Sequence, residues 1–134
     1  MTEQKKSKAL HIGLWVSQSL LAAAFGIAGF MKITMPVEEL AKNGMSFVSY
    51  YGVGTVRFIG ISEVLGALGL ILPAALRIKP FLTPFAALGI AIIMVLATSY
   101  HVTHSEPFIP TIILFLLASF VTWGRFKKAP IQAK

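Results

Sequence analysis

The chain has 134 residues, 56% of them hydrophobic and only 13% charged, with no cysteine and a formal net charge of +7. A soluble domain carries about 25% charged residues, so this chain lacks the polar surface to cover a globule in water and needs lipid as its solvent. The lack of cysteine excludes disulfides, thiolate catalysis, Cys-ligated zinc and iron–sulfur clusters; the cations sit in short clusters without interleaved stacking aromatics, which argues against nucleic acid as a partner.

A helix that crosses a bilayer needs roughly 20 apolar residues at about 1.5 Å rise each, and four segments qualify. Lys5, Lys6 and Lys8 precede the first, expected over residues 9–31 with Trp15 near its start. A signal peptide is the alternative for this run, since residues 22–24 are alanines. The apolar stretch nevertheless continues through Phe25 to Met31, longer than a signal core of roughly 7–15 residues. Gly26, Gly29 and Lys32 recur at three-residue spacing, which reads as a packing groove that brings Lys32 close to a neighbouring helix.

The connection over residues 33–54 is the one long loop. Within it, residues 36–42 read as one or two helical turns lying at the outer interface. Pro36 suits a first position, Glu38 and Glu39 suit the positive end, and Asn43-Gly44 is a stop. Val37, Leu40 and Ala41 give the turn an apolar face, and Tyr50 and Tyr51 mark the interface before the second span.

The second span, residues 55–73, holds Glu63 near mid-bilayer. A carboxyl group there costs about 2.5–3.5 kcal/mol on insertion scales, so it is expected to face the interior and to be protonated or paired. Gly60, Glu63, Gly66 or Ala67, and Leu70 recur around it at helical spacing. Glu63 reads either as a structural carboxylate pinning two helices or as a proton-handling or ligand-binding group. Arg57, six residues earlier and so about 600° away around the helix, does not share its face.

The tight turn over residues 74–80 makes the second and third spans antiparallel neighbours. The third is expected over residues 81–100 and the fourth, the shortest, over 108–123, with Pro84 and Pro110 in first turns where a missing N–H costs little. His101 ends the third span, and His104 and Glu106 follow. Two imidazoles three apart can share a helical face, but no third fixed ligand stands with them, so no metal site is assigned. Interface histidines, or a histidine exchanging protons with the Glu63 region, are the preferred reading.

These segments predict an all-α fold: a transmembrane four-helix bundle with a short interfacial helix between spans one and two. A basic tail (1–8) precedes the four-span domain (9–126), and a second basic tail (127–134) follows it. Four spans place Lys5, Lys6, Lys8, Arg77, Lys79, Arg125, Lys127, Lys128 and Lys134 on one side, against Lys32 and Lys42 on the other, with Arg57 just inside a helix end. That asymmetry puts both termini in the cytoplasm of a cell whose inner or plasma membrane the chain crosses. Lys32, Arg57, Glu63, Ser99, Tyr100 and His101 then gather in the outer half, while the inner half offers little beyond Ser17, Gln18 and Ser19.

Gly29-Phe30-Met31-Lys32-Ile33 and Arg57-Phe58-Ile59-Gly60-Ile61-Ser62-Glu63-Val64-Leu65-Gly66-Ala67-Leu68-Gly69-Leu70 carry a resemblance to the DoxX/DoxX-like family of small four-helix membrane proteins. Those proteins typically end their first span in G-x-x-K-[LI] and show a G-x-x-E-x-x-G-x-x-x-L-type second span. His101 is similar to a histidine near the outer end of the family's third span, and the resemblance covers about residues 10–126.

The resemblance implies a place in membrane redox chemistry, as a subunit of a sulfur-compound:quinone oxidoreductase or of an oxidative-stress complex. Distant relatives look like assembly chaperones of membrane receptors. Without cysteine, a redox role needs a bound quinone or a partner subunit. The expectation is therefore an accessory protein, or a membrane oxidoreductase subunit rather than a self-sufficient enzyme. A quinone or other lipophilic small molecule would enter the outer half laterally. Glu63 would handle a proton or hydrogen-bond the ligand, Lys32 and His101 would tune its ionisation, and Arg57 would orient a polar group. One alternative is a non-enzymatic assembly partner of a larger membrane complex, with Glu63 and Lys32 as a buried clasp. The other is a small proton-coupled carrier acting as a homodimer.

Overall fold

The computed structural model describes residues 3–134, with side chains from Lys8 onward, so the side chains of Lys5 and Lys6 lie outside the described part. In chain order the elements are α1 (Glu3–Thr34), α2 (Val37–Lys42), α3 (Phe47–Tyr50), α4 (Val53–Leu76), α5 (Leu82–Thr103) and α6 (Ile109–Trp123). A π-helical turn, Gly124–Lys128, follows α6. No strand occurs among the described residues.

Four stretches are long and apolar enough to span a membrane: Lys8–Thr34, Val53–Leu76, Leu82–Thr103 and Ile109–Lys128, with mean hydropathy of 1.6, 1.9, 2.0 and 1.6. They are apolar nearly all round rather than on one stripe, which marks a helix solvated by lipid. Ile27, Phe58, Leu65 and Leu96 point outward, each more than 60% exposed. Leaving such a side chain in water forfeits about 1.5–3 kcal/mol. The chain is a multi-pass integral membrane protein.

The helices close a ring: α1 packs on α4, α4 on α5, α5 on α6, and α6 returns to α1. Leu14, Leu21 and Phe25 of α1 meet Leu70 of α4, Ile90 and Met94 of α5, and Val121 of α6 in the main core. One end of the ring carries both chain termini and the α4–α5 turn (the terminal end). The other carries α2, α3 and the α5–α6 connection (the loop end). At the loop end, Leu40 of α2, Val48 of α3 and Val56 of α4 form a second core with Met31 and Met35. The apolar face of α2 thus turns onto the bundle. Asn43 ends α2 and Gly44 follows at φ +93°, a left-handed conformation that suits glycine.

The second span runs one turn past Pro73, where the sequence suggested an end. Proline lacks the N–H that would bond the carbonyl of Gly69, four residues back. The Thr83 hydroxyl donates to that carbonyl instead, at 2.9 Å, and Gln18 Nε2 donates to the next one, Leu70, at 2.7 Å. Neighbouring side chains re-satisfy the freed backbone, so a proline is tolerated inside a lipid-embedded helix. α1 also extends beyond its expected ends at both sides, and the fourth span gains a turn because Gly124–Lys128 continues α6 as a π-turn. A Cβ at Gly124 would stand 2.5 Å from Leu14 Cδ2, so glycine is what lets this turn press against α1.

Candidate functional site

At the loop end, two short sequence patterns face each other across the α1–α4 contact. Gly29 and Lys32 are three apart on α1, and Gly60 and Glu63 are three apart on α4. A Cβ on Gly29 would lie 2.7 Å from the Gly60 carbonyl oxygen and 3.0 Å from Glu63 Cβ. A Cβ on Gly60 would lie 2.8 Å from both the Gly29 oxygen and Lys32 Cβ. Each charged residue therefore stands opposite the other helix's glycine. Any side chain at either glycine would hold the backbones apart; two bare glycines let them touch.

That approach brings Lys32 Nζ to 2.5 Å from Glu63 Oε1. The pair is buried, with side chains 9% and 2% exposed. Glu63 is the eleventh residue of α4, about 15 Å from its start at 1.5 Å per residue, roughly half a hydrocarbon core. The Phe47 ring of α3 lies 5.4 Å from Lys32 Nζ, a cation–π distance that closes the lysine's remaining side. The carboxyl group expected to be protonated or paired has as its partner the lysine that ends the first span.

Arg57 takes a separate task. Its Nη1 donates to the carbonyls of Lys32 and Met35, both at 2.7 Å. The Lys32 carbonyl would normally receive the N–H of residue 36, which is proline and has none. Arg57 thus caps the negative end of α1 and locks α4 to it, on a different face from Glu63.

His101 pairs elsewhere. Its Nδ1 lies 2.8 Å from Glu106 Oε1, and the other Glu106 oxygen accepts from the Ser46 hydroxyl. Ser46 precedes α3, so this chain of contacts ties the α2–α3 segment to the α5–α6 connection. The Ser46 hydroxyl first, and His101 second, hold the Glu106 carboxyl below its ordinary value. His104 does not join His101. Its ring stacks on Tyr100 with centroids 4.0 Å apart; Tyr50 packs edge-on against both rings and against Tyr51, which meets Tyr100 tilted. The loop end therefore carries a rim of aromatic and imidazole rings above the ion pair.

The sequence reading singled out Lys32, Glu63, Arg57 and His101, but not Phe47, Ser46 or the contacts of Glu106. It also underrated the terminal end. Arg125, counted with the basic flank, is 2% exposed. It turns inward to Gln18 Oε1 at 2.6 Å and to His11 Nδ1 at 3.0 Å. The signal available was Gln18, an amide in an otherwise apolar span, which requires a partner when buried.

Residues 16–123 match the DoxX-like family, and the chain belongs to it. No curated protein and no solved structure matches the chain.

Proposed function

We propose that this DoxX-like chain is a non-catalytic accessory subunit of quinone-linked membrane redox chemistry, with both termini in the cytoplasm. Lys32 and Glu63 act as the clasp that sets the register of α1 against α4. The ring-lined rim at the loop end takes the lipophilic small molecule. One observation carries this reading: the acid of the second span is buried and engaged by Lys32 beside the Gly29–Gly60 contact, and Phe47 stands over the lysine. A carboxylate so held is committed to a structural bond. The flat rings of Tyr100, His104, Tyr50 and Tyr51 suit the planar conjugated head group of a quinone, which can lie against ring faces and edges. The chain has no cysteine, so electrons would travel on the quinone and a partner subunit.

The test uses the purified chain with a short-chain benzoquinone analogue. Wild-type protein is expected to bind it, Tyr100→Leu to lose binding, and the chain alone to show no turnover with the quinol and an artificial electron acceptor. Turnover by the isolated chain, or unaltered binding by Tyr100→Leu, refutes the proposal. A purely structural assembly role is the second reading. It draws support from an open groove of about 410 Å³ between α4 and α5, lined in part by Gly66, Gly69, Ala86 and Gly89. Small residues there would admit a partner's helix. Co-purification of a partner through this groove, without quinone binding, would favour it.

A further inference from the structure

Arg125 is buried at the terminal end, and among the described residues no counter-charge meets it. Its Nε donates to Gln18 Oε1 at 2.6 Å. Its Nη1 meets His11 Nδ1 at 3.0 Å and the Ala129 carbonyl at 2.8 Å. All three partners are neutral acceptors, and no carboxylate contacts the group among the described residues. Its Nη2 is fully buried and has no hydrogen-bond partner. A guanidinium carries five N–H donors, so both of those on Nη2 are unspent. Taking a cation out of water costs several kcal/mol unless a counter-charge repays it. An anionic oxygen at Nη2 would supply that counter-charge.

The local backbone points the same way. Arg125 sits in the π-helical turn Gly124–Lys128, a rare, wide geometry that is frequent at functional sites. This turn, with Gly124 pressed on Leu14, directs the guanidinium toward α1 instead of out to the surface. The Trp15 ring stands 5.7 Å from the guanidinium carbon. His11 is exposed and Ala129 half-buried, so the two groups that share Nη1 reach the protein's surface. Lys8, Lys127 and Lys128 are exposed on the same end and add a positive field that draws anions in.

We propose that the terminal end of the bundle holds a phosphate group at Arg125, its oxygens accepting the two Nη2 N–H bonds. Arginine suits this task because its planar fork matches phosphate oxygens. The phosphate belongs either to the headgroup of an anionic lipid in the adjacent leaflet or to a free anion. The site is independent of the Lys32–Glu63 clasp and of the quinone reading, so it stands or falls alone.

The chain has two tryptophans, and Trp123→Phe leaves Trp15 as the sole reporter beside Arg125. This full-length protein in detergent is titrated with phosphatidylglycerol, phosphatidylcholine and inorganic phosphate, with native mass spectrometry reading retained lipid. Phosphatidylglycerol is expected to give a saturable change in Trp15 emission and one retained lipid. Arg125→Gln should weaken binding by roughly tenfold or more, as loss of hydrogen bonds to a charged group does. Lys127→Gln/Lys128→Gln should keep the response. Saturation by inorganic phosphate with no preference for the lipid would assign a free anion to the same site. No response to either phosphate source, or equal binding by Arg125→Gln, would overturn the proposal. Should Arg125→Gln not fold, Arg125→Lys keeps the charge but lacks Nη2; it should also bind more weakly, and wild-type-like binding by it refutes the assignment.

Discussion

Replacing Lys32 by Met and Glu63 by Leu, singly and together, isolates the energy of the ion pair from everything else at the α1–α4 contact. Each single variant leaves one charged group buried without its partner, 2.5 Å from where that partner stood. Breaking a buried pair from one side costs about 3–5 kcal/mol, whereas replacing both members by apolar groups of similar volume is often neutral. The pair is nearly fully enclosed, so water cannot easily repay the loss. The two single variants should therefore each lose about 3 kcal/mol or more, and the double variant should recover most of it. Equilibrium unfolding in mixed detergent–dodecyl sulfate micelles, followed by far-ultraviolet circular dichroism, measures all four proteins. A coupling energy above about 2 kcal/mol supports the clasp. Additive single effects, within about 0.5 kcal/mol of their sum, would show that the two groups do not depend on each other and would refute the reasoning.

Thr83→Val should cost about 1–3 kcal/mol, the penalty for leaving the Gly69 carbonyl unpaired. Pro73→Ala should make the loss disappear by restoring the missing N–H, which the same unfolding assay can read in the double variant. Gly60→Ala forces the α1 and α4 backbones apart and should cost about 1–3 kcal/mol, while Gly89→Ala, where an added Cβ meets nothing within 4 Å, should leave stability unchanged or slightly raised. The depressed Glu106 carboxyl stabilises the fold fully above its ordinary value of 4.5, and that contribution is lost as pH falls through the lower folded value. The stability gap between wild type and Glu106→Gln, measured by thermal melts across a pH series, should accordingly narrow below pH 4.5.

The spans and the pairing of Lys32 with Glu63 were legible because they rest on local signals. Length and hydropathy define a helix in lipid. The matched spacing Gly29-to-Lys32 and Gly60-to-Glu63 needs only an antiparallel contact to bring opposite charges together. The helical period alone sets Arg57 about 600° around the helix from Glu63; its capping task depended on Pro36, whose lack of N–H leaves the Lys32 carbonyl open. The same accounting explains the misjudged end at Pro73. A proline stops a helix only when nothing supplies the freed carbonyl, and Thr83 supplies it from the next helix. Arg125 was illegible for a different reason. A cation after an apolar run looks the same whether it reaches out to water or turns inward. The difference lies in Gly124 against Leu14 and in Gln18, more than a hundred positions earlier in the chain.

The central claim is that Glu63 serves as a clasp and not as the group that meets the small molecule. Binding of a short-chain benzoquinone analogue to the folded Lys32→Met/Glu63→Leu protein tests it most directly. Affinity close to that of wild type is expected. A double variant that folds normally yet no longer binds the quinone would contradict it and would return Glu63 to the ligand site.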